Sequence, residues 1–208
     1  RQTQRKSREK FPSCALVGYT NAGKSSLLNA LTGSEAFVED QLFATLDPLT
    51  RKLPLNDGSA VLITDTVGFI SNLPHGLIDA FKSTLEEAVY ADLLLIVLDS
   101  SDENAVFQYD TVCDVLTEIG ADKNPRLIVL NKIDKAKESA EINFQNLRLK
   151  FPDAICVSAK DQSGFEELKD KIYGILLGDL TEYIIPMNNM TLINGLKNAC
   201  CSKKKEWL

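Results

Sequence analysis

One stretch constrains this chain more than any other: Gly18-Tyr19-Thr20-Asn21-Ala22-Gly23-Lys24-Ser25. It fits G-x-x-x-x-G-K-[ST], the phosphate-binding P-loop pattern. Ala15-Leu16-Val17 before it are apolar and suit a buried strand, and Ser26-Leu27-Leu28-Asn29-Ala30-Leu31 after it have helical spacing. A strand, a loop and a helix in that order are the context in which the pattern carries meaning. The glycines let the backbone wrap an anion with its N–H groups turned inward. The new helix adds the positive end of its dipole at the same place. Asn21, Ala22, Gly23, Lys24, Ser25 and Ser26 are therefore expected to bind nucleotide phosphates. Lys24 is expected to reach the β- and γ-phosphates, and Ser25 to hold Mg²⁺.

The rest of the chain supplies a matching frame. Cys14 to Gly18 reads as a first strand, with a helix from the P-loop to about Leu31 and Gly33 suited to its C-cap. Glu35 to Asp47 has mixed polarity and no period, the mark of a functional loop. Thr50 to Leu55 and Ala60 to Thr64 are strand-like, with Asn56-Asp57-Gly58 as a hairpin turn between them. Leu73-Pro74 punctuates the next loop. Gly76 to Tyr90 reads as an amphipathic helix, with His75 at its entrance as a cap or packing residue. Leu93 to Leu98 is a continuous apolar run, typical of a central parallel strand covered on both faces. Asn104–Ile119, Glu138–Lys150 and Phe165–Leu177 read as helices, and Arg126–Leu130 and Ala154–Val157 as strands. The expected fold is α/β: a P-loop NTPase domain with a mostly parallel sheet, one antiparallel edge strand and helices on both faces. Ligand then binds beyond the carboxyl ends of the strands.

Those ends carry the remaining motifs. Asn131-Lys132-Ile133-Asp134 fits N-K-x-D, the guanine-reading pattern. A carboxylate at Asp134 can accept from both N1–H and the exocyclic amine of guanine, whereas adenine would leave it unpaired. Asn131 is expected to brace the loop and the Lys132 stem to cover the base. Ser158-Ala159-Lys160 fits S-A-K, which supports the base oxygen through backbone N–H groups. The ordered set points to GTP rather than ATP. Asp65-Thr66-Val67-Gly68 fits D-x-x-G: Asp65 would hold Mg²⁺ through water, and the Gly68 N–H would meet the γ-phosphate, an approach a side chain would hinder. Thr45 is the best candidate for a second hydroxyl on Mg²⁺. The expected catalytic set is Lys24, Thr45 and Gly68. Loops that close on a γ-phosphate and release when it leaves form a switch.

Phe69 follows Gly68 where many regulatory GTPases place glutamine to orient the attacking water. A phenyl ring makes no such hydrogen bond, so slow intrinsic turnover is expected, on the order of 10⁻⁴ to 10⁻² s⁻¹. A partner or a monovalent cation is then expected to complete the site. Asn21 stands where potassium-activated GTPases carry asparagine, which makes K⁺ the candidate. Arg51 lies near the switch loop and reads as a surface strand residue.

Composition narrows the class further. The 208 residues suit one domain of ordinary size plus appendages. The net charge of −6 argues against general nucleic-acid binding by electrostatics alone. Against that balance, residues 1–10 hold five basic side chains and one acidic one, which suits either an RNA contact or the solvated end of a helix. No apolar run approaches the length of a bilayer span. The five cysteines make no C-x-x-C pair and only one histidine is present, so a Cys/His zinc site is not expected. They read as reduced thiols in a cytoplasmic protein. Cys200-Cys201 lies before Lys205-Glu206-Trp207-Leu208, which is no lipidation box.

Gly18–Ser25, Leu42-Phe43-Ala44-Thr45-Leu46-Asp47-Pro48, Asp65-Thr66-Val67-Gly68-Phe69-Ile70, Leu73-Pro74-His75 leading into Ala80–Glu87, and Ala91-Asp92-Leu93-Leu94 together resemble the HflX family of ribosome-associated GTPases. Phe69 is that family's own pattern. The resemblance implies a monomeric GTPase that binds the large ribosomal subunit, splits or rescues ribosomes under stress, and is stimulated by the ribosome. It also implies an N-terminal domain and a helical hairpin ahead of the GTPase domain. On that basis residues 1–10 are the end of an upstream linker helix, residues 11–180 the GTPase domain, and residues 181–208 an appendage or the start of a small C-terminal domain. Two rival readings stand beside it: an Era-like ribosome-assembly or tRNA-modification GTPase, which usually carries proline where this chain has Val67, and a GTP-gated regulator of a non-ribosomal protein.

Overall fold

The computed structural model describes residues 11–33, 49–69 and 82–178. The elements run β1 (Ser13–Gly18), α1 (Lys24–Thr32), β2 (Leu49–Pro54), β3 (Ala60–Asp65), α2 (Lys82–Val89), β4 (Leu93–Asp99), α3 (Ala105–Glu118), β5 (Arg126–Asn131), α4 (Ile133–Ser139), α5 (Glu141–Lys150), β6 (Ile155–Cys156) and α6 (Phe165–Leu177). The six strands form one sheet in the order β2-β3-β1-β4-β5-β6. β2 and β3 are antiparallel and every other pair is parallel. The fold class expected from the sequence is the one observed.

The apolar run over β4 explains why it lies in the middle. All seven of its residues are buried. Successive side chains of a strand point to opposite faces. Leu93, Leu95 and Val97 accordingly join one core cluster with Leu27 and Leu28 of α1 and Leu168 and Ile172 of α6. Leu94, Ile96 and Leu98 join the other, with Val112 and Leu116 of α3 and Phe144 and Leu147 of α5. The sheet is thus covered on both sides, as an uninterrupted hydrophobic strand requires.

The chain passes from β1 to β3 on one side and then to β4 on the other, so the order reverses at β1. A ligand crevice opens at such a reversal, outside the carboxyl ends of the strands. The P-loop follows β1 directly.

Two elements differ from the sequence reading. The helix expected over 138–150 is two helices, α4 and α5, with Ala140 between them at φ −143° and ψ 34°. Ala140 N donates to Ala136 O, and Phe144 N donates to Ala140 O, so one residue ends the first helix and opens the second. No Gly or Pro marks the break. The bend is tertiary in origin: α4 presents Asp134 at the site, while α5 turns Phe144 and Leu147 into the core. β6 has only two residues where four were expected. The helix expected over 76–90 is described as Lys82–Val89, and its earlier part lies outside the described residues. Also outside them are residues 1–10, the loop Glu35–Asp47 with Thr45, Leu73-Pro74, His75, and residues 179–208 with Cys200-Cys201. Arg51 is half-buried rather than a plain surface residue. Its Nη1 donates to Asn29 Oδ1 (2.8 Å) and Thr32 Oγ1 (3.2 Å), fastening β2 to α1.

Candidate guanine-nucleotide site

At the end of β1 the chain makes a tight loop. Asn21 takes a left-handed conformation (φ 61°) and Gly23 follows at φ 90°. A Cβ on Gly23 would lie 2.4 Å from Asn131 Nδ2, so both backbone angle and space demand glycine there. Gly23 O accepts from Leu27 N at 2.9 Å and starts α1. The first-turn N–H groups of that helix have no intrahelical acceptor. Ser26 sits half-buried in this turn.

Lys24 is the buried cation of the site, only 6% exposed. Its Nζ donates to Gly18 O (3.1 Å) and Tyr19 O (3.0 Å), so the ammonium lies within the P-loop. Burial pulls its pKa down from 10.5 to about 8, opposed by the nearby Asp65 carboxylate. Asp65 ends β3 and pairs in register with Leu16 of β1. Its Oδ2 accepts from Ser25 Oγ at 2.5 Å. Two hard oxygen donors meeting beside a phosphate cradle suit Mg²⁺, which takes one or two protein oxygens and completes its shell with water and phosphate. Among the described residues, no cluster of three His, Cys, Asp or Glu side chains offers a protein-only metal cage.

The segment after Asp65 is strapped to β1 and the P-loop. Thr66 Oγ1 donates to Leu16 O at 2.7 Å. Phe69 N donates to Gly18 O (3.0 Å), and Thr20 N donates to Phe69 O (2.8 Å). Between these bonds Gly68 lies so close to the P-loop that an added Cβ would be 2.9 Å from Thr20 Cα and 3.0 Å from Lys24 Nζ. The Phe69 ring is 1% exposed and packs in the core with Val17 and Leu85. It is a core residue whose backbone anchors the strap.

Three further strand ends complete the site. Asn131, the last residue of β5, is fully buried. Its Nδ2 donates to Ala22 O (2.9 Å) and its Oδ1 accepts from Ala159 N (3.2 Å). Lys132, left-handed at φ 62°, donates from Nζ to Asn21 O (2.7 Å) and to Asp99 Oδ2 (2.8 Å). Asp134 sits in the first turn of α4, and its Oδ1 accepts from Ser158 Oγ at 2.8 Å. Lys160 Nζ stands 3.9 Å from Asp134 Oδ2 with its side chain 81% exposed, so this is a rim pair of little energetic weight. Asn21, Ala22, Gly23, Lys24, Ser25, Ser26, Asp65, Gly68, Asn131, Lys132, Asp134, Ser158, Ala159 and Lys160 are thereby gathered at one end of the sheet. Thr45 is the expected site residue that lies outside the described residues. Asp99 and Thr66 were not singled out in the sequence. The signal that marks them is a polar residue at the carboxyl end of a buried strand, next to one that bears a motif.

A phosphate cradle after β1, a Ser–Asp oxygen pair beside it, and a braced carboxylate on the N-K-x-D loop define a P-loop GTPase domain. The family model described as 50S ribosome-binding GTPase matches residues 13–132. A GTPase HflX of Caldanaerobacter subterraneus subsp. tengcongensis is 46% identical over 198 residues, covering 94% of this chain and 44% of that protein. A GTPase HflX of Akkermansia muciniphila is 58% identical over 140 residues, covering 66% of this chain and 32% of that protein. A crystal structure of a GTP-binding protein from Sulfolobus solfataricus in complex with GDP superposes with a TM-score of 0.63 at 35% identity, covering 84% of this chain and 55% of that one. The chain belongs to that GTPase family, and within it to the HflX GTPases. It spans less than half the length of these two HflX relatives.

Proposed function

We propose that this domain binds GTP and GDP and hydrolyses GTP slowly, and that the protein works with the large ribosomal subunit. The observation that carries the nucleotide reading is the Asn131 side chain, which joins the phosphate loop at Ala22 to the base-reading loop at Ala159. One buried amide thereby fixes the distance between a phosphate site and a base site. Asp134, held by Ser158, presents a carboxylate that guanine can satisfy with two donors.

In the proposed reaction the loop N–H groups and the α1 N-terminus bind the β-phosphate. Lys24 donates to the phosphate oxygens where charge gathers as the γ-phosphoryl leaves. Ser25, Asp65 and Thr45 would hold Mg²⁺, and the ion would supply positive charge against the phosphates. The Gly68 N–H contacts the γ-phosphate, so the segment from Gly68 to Leu73 and the loop over 35–47 sense its presence. Asn21 would offer a ligand to K⁺, and the ion would supply part of the positive charge that an arginine finger brings. Lys24, Thr45 and Gly68 are the proposed catalytic residues. Lys132 covers the base, and Ala159 and Lys160 support it. With Phe69 in the core, its ring orients no water, and intrinsic turnover is slow.

The ribosomal partner rests on the family model's description and on the HflX relatives. Membership of that group also supports a cytoplasmic, monomeric protein in which residues 11–180 form the GTPase domain, flanked by a linker helix end over 1–10 and a C-terminal appendage over 181–208. Among the described residues no helix is long and apolar enough to cross a membrane.

The test is GTP turnover in K⁺ and in Na⁺, with and without purified large ribosomal subunits. The reading expects turnover below ~1 s⁻¹ for the chain alone, faster in K⁺, and stimulated by the subunits. Equal rates in the two salts remove the K⁺ assignment. Lack of stimulation, both for this chain and for its full-length protein, removes the ribosomal one.

A further inference from the structure

Asp99 belongs to none of the nucleotide-binding motifs, yet it is placed at their junction. It closes β4 and pairs in register with Asn131 at the end of β5. Its Oδ1 accepts from Ser101 N (2.9 Å) and Ser101 Oγ (2.6 Å), which locks the carboxylate's orientation. Its Oδ2 accepts from Lys132 Nζ at 2.8 Å, with the Asp99 side chain 13% exposed. The same ammonium donates to Asn21 O at 2.7 Å. One lysine head therefore bridges a fixed carboxylate to the P-loop backbone.

The two residues joined by that bridge are conformationally costly. Asn21 and Lys132 both sit in the left-handed region, at φ 61° and 62°. Only one other non-glycine among the described residues does so, Gln162. A left-handed non-glycine persists where its surroundings hold it. Here each strained residue is held through the other, and Asp99 is the anchor of the pair. Burial alone would raise the Asp99 carboxyl. The hydrogen bonds from Lys132 and Ser101, with the Lys132 charge, outweigh it and keep the group below the ordinary carboxylate range.

We propose that Asp99 is a positioning residue for nucleotide retention: it holds the Lys132 ammonium on the Asn21 carbonyl, locking the base-reading loop to the phosphate loop. The proposal rests on the guanine-nucleotide reading above. Asp99 touches neither base nor phosphate; it acts through Lys132. Loss of its charge frees the lysine head, lets Asn21 leave its left-handed conformation, and loosens both halves of the site together. GDP and GTP are then released faster to a similar degree.

The experiment is stopped-flow dissociation of mant-GDP and mant-GTP from the chain and from D99N, D99E, S101A, K132Q and D99N/K132Q. D99N and K132Q are each expected to accelerate release about tenfold, and the double variant to be no faster than K132Q alone, because both remove one contact. D99E restores part of the retention. S101A, which leaves both charges in place and removes only the hydroxyl that orients the carboxylate, gives a two- to threefold effect and reports on the anchor if D99N fails to fold. A D99N rate within twofold of the wild type overturns the proposal, as do additive effects in the double variant or an S101A rate equal to the wild type when D99N does not fold. Wild-type protein that binds no mant-GDP overturns the guanine reading and this proposal with it. Wild-type binding with unchanged release in the variants overturns the positioning role alone.

Discussion

The side-chain amide of Asn131 donates to the backbone carbonyl of Ala22 at 2.9 Å, across 109 residues of sequence. The contact is fully buried on the Asn131 side, and the other end of the same amide accepts from Ala159 N. Asn131→Ala removes both partners and leaves a buried carbonyl and a partly buried N–H unsatisfied. We expect a loss of about 1–3 kcal/mol of stability and at least a tenfold weaker hold on GDP. Urea melts and mant-GDP titration check the two effects.

Asp134 is the proposed reader of guanine, and Ser158 fixes its orientation at 2.8 Å. Asp134→Asn replaces an acceptor with a group that donates on one side. GDP binding should weaken on the order of 10²-fold or more, because guanine's paired donors lose one acceptor. Xanthosine diphosphate, which offers an acceptor where guanine has its amine, should gain affinity in the same variant. Competition against mant-GDP and mant-XDP measures the exchange.

Phe69→Gln places the glutamine of many regulatory GTPases where this chain has an aromatic ring. The ring is 1% exposed among Val17, Leu85 and their neighbours. The variant should lose roughly 3 kcal/mol of stability, from lost packing and a buried amide. GTP turnover should not rise above that of the wild type. A faster enzyme with unchanged stability would show that residue 69 faces the phosphates.

Cys14 lies within β1 and is 1% exposed. Burial, with the Asp92 carboxylate adding to it, pushes its thiol up from 9.0 to about 12. The unfolded chain therefore releases this proton at lower pH than the folded one. The contribution to stability is fully present below about pH 9 and is lost as pH rises toward 12. Cys14→Ala should flatten part of the fall in stability between pH 9 and 10.5. In the native state Cys14 should resist maleimide while the half-exposed Cys113 and Cys156 react, which peptide mass spectrometry reads directly.

How much of this was legible beforehand depended on whether a signal was local. The P-loop, D-x-x-G, N-K-x-D and S-A-K segments each follow a strand whose hydrophobic run is visible by itself, so the site could be placed before its geometry was seen. The covering of β4 on both faces also follows from the continuous apolar run Leu93–Leu98. What local patterns do not carry is tertiary. Nothing in Glu138–Lys150 announces the break at Ala140, because its cause is the need to present Asp134 on one helix and Phe144 on the next. In the sequence Phe69 stands where a water-positioning group is missing, and the packing shows it as a core residue bonded through its backbone to Gly18 and Thr20. Asp99 has no motif of its own. Its role depends on a lysine 33 positions later that also meets Asn21.

The central claim is that this site holds a guanine nucleotide, and competitive displacement of mant-GDP tests it most directly. The account predicts that unlabelled GDP and GTP displace the probe at comparable low concentrations and that ADP and ATP fail to do so at a thousandfold excess. Displacement by ADP as effective as that by GDP would contradict it.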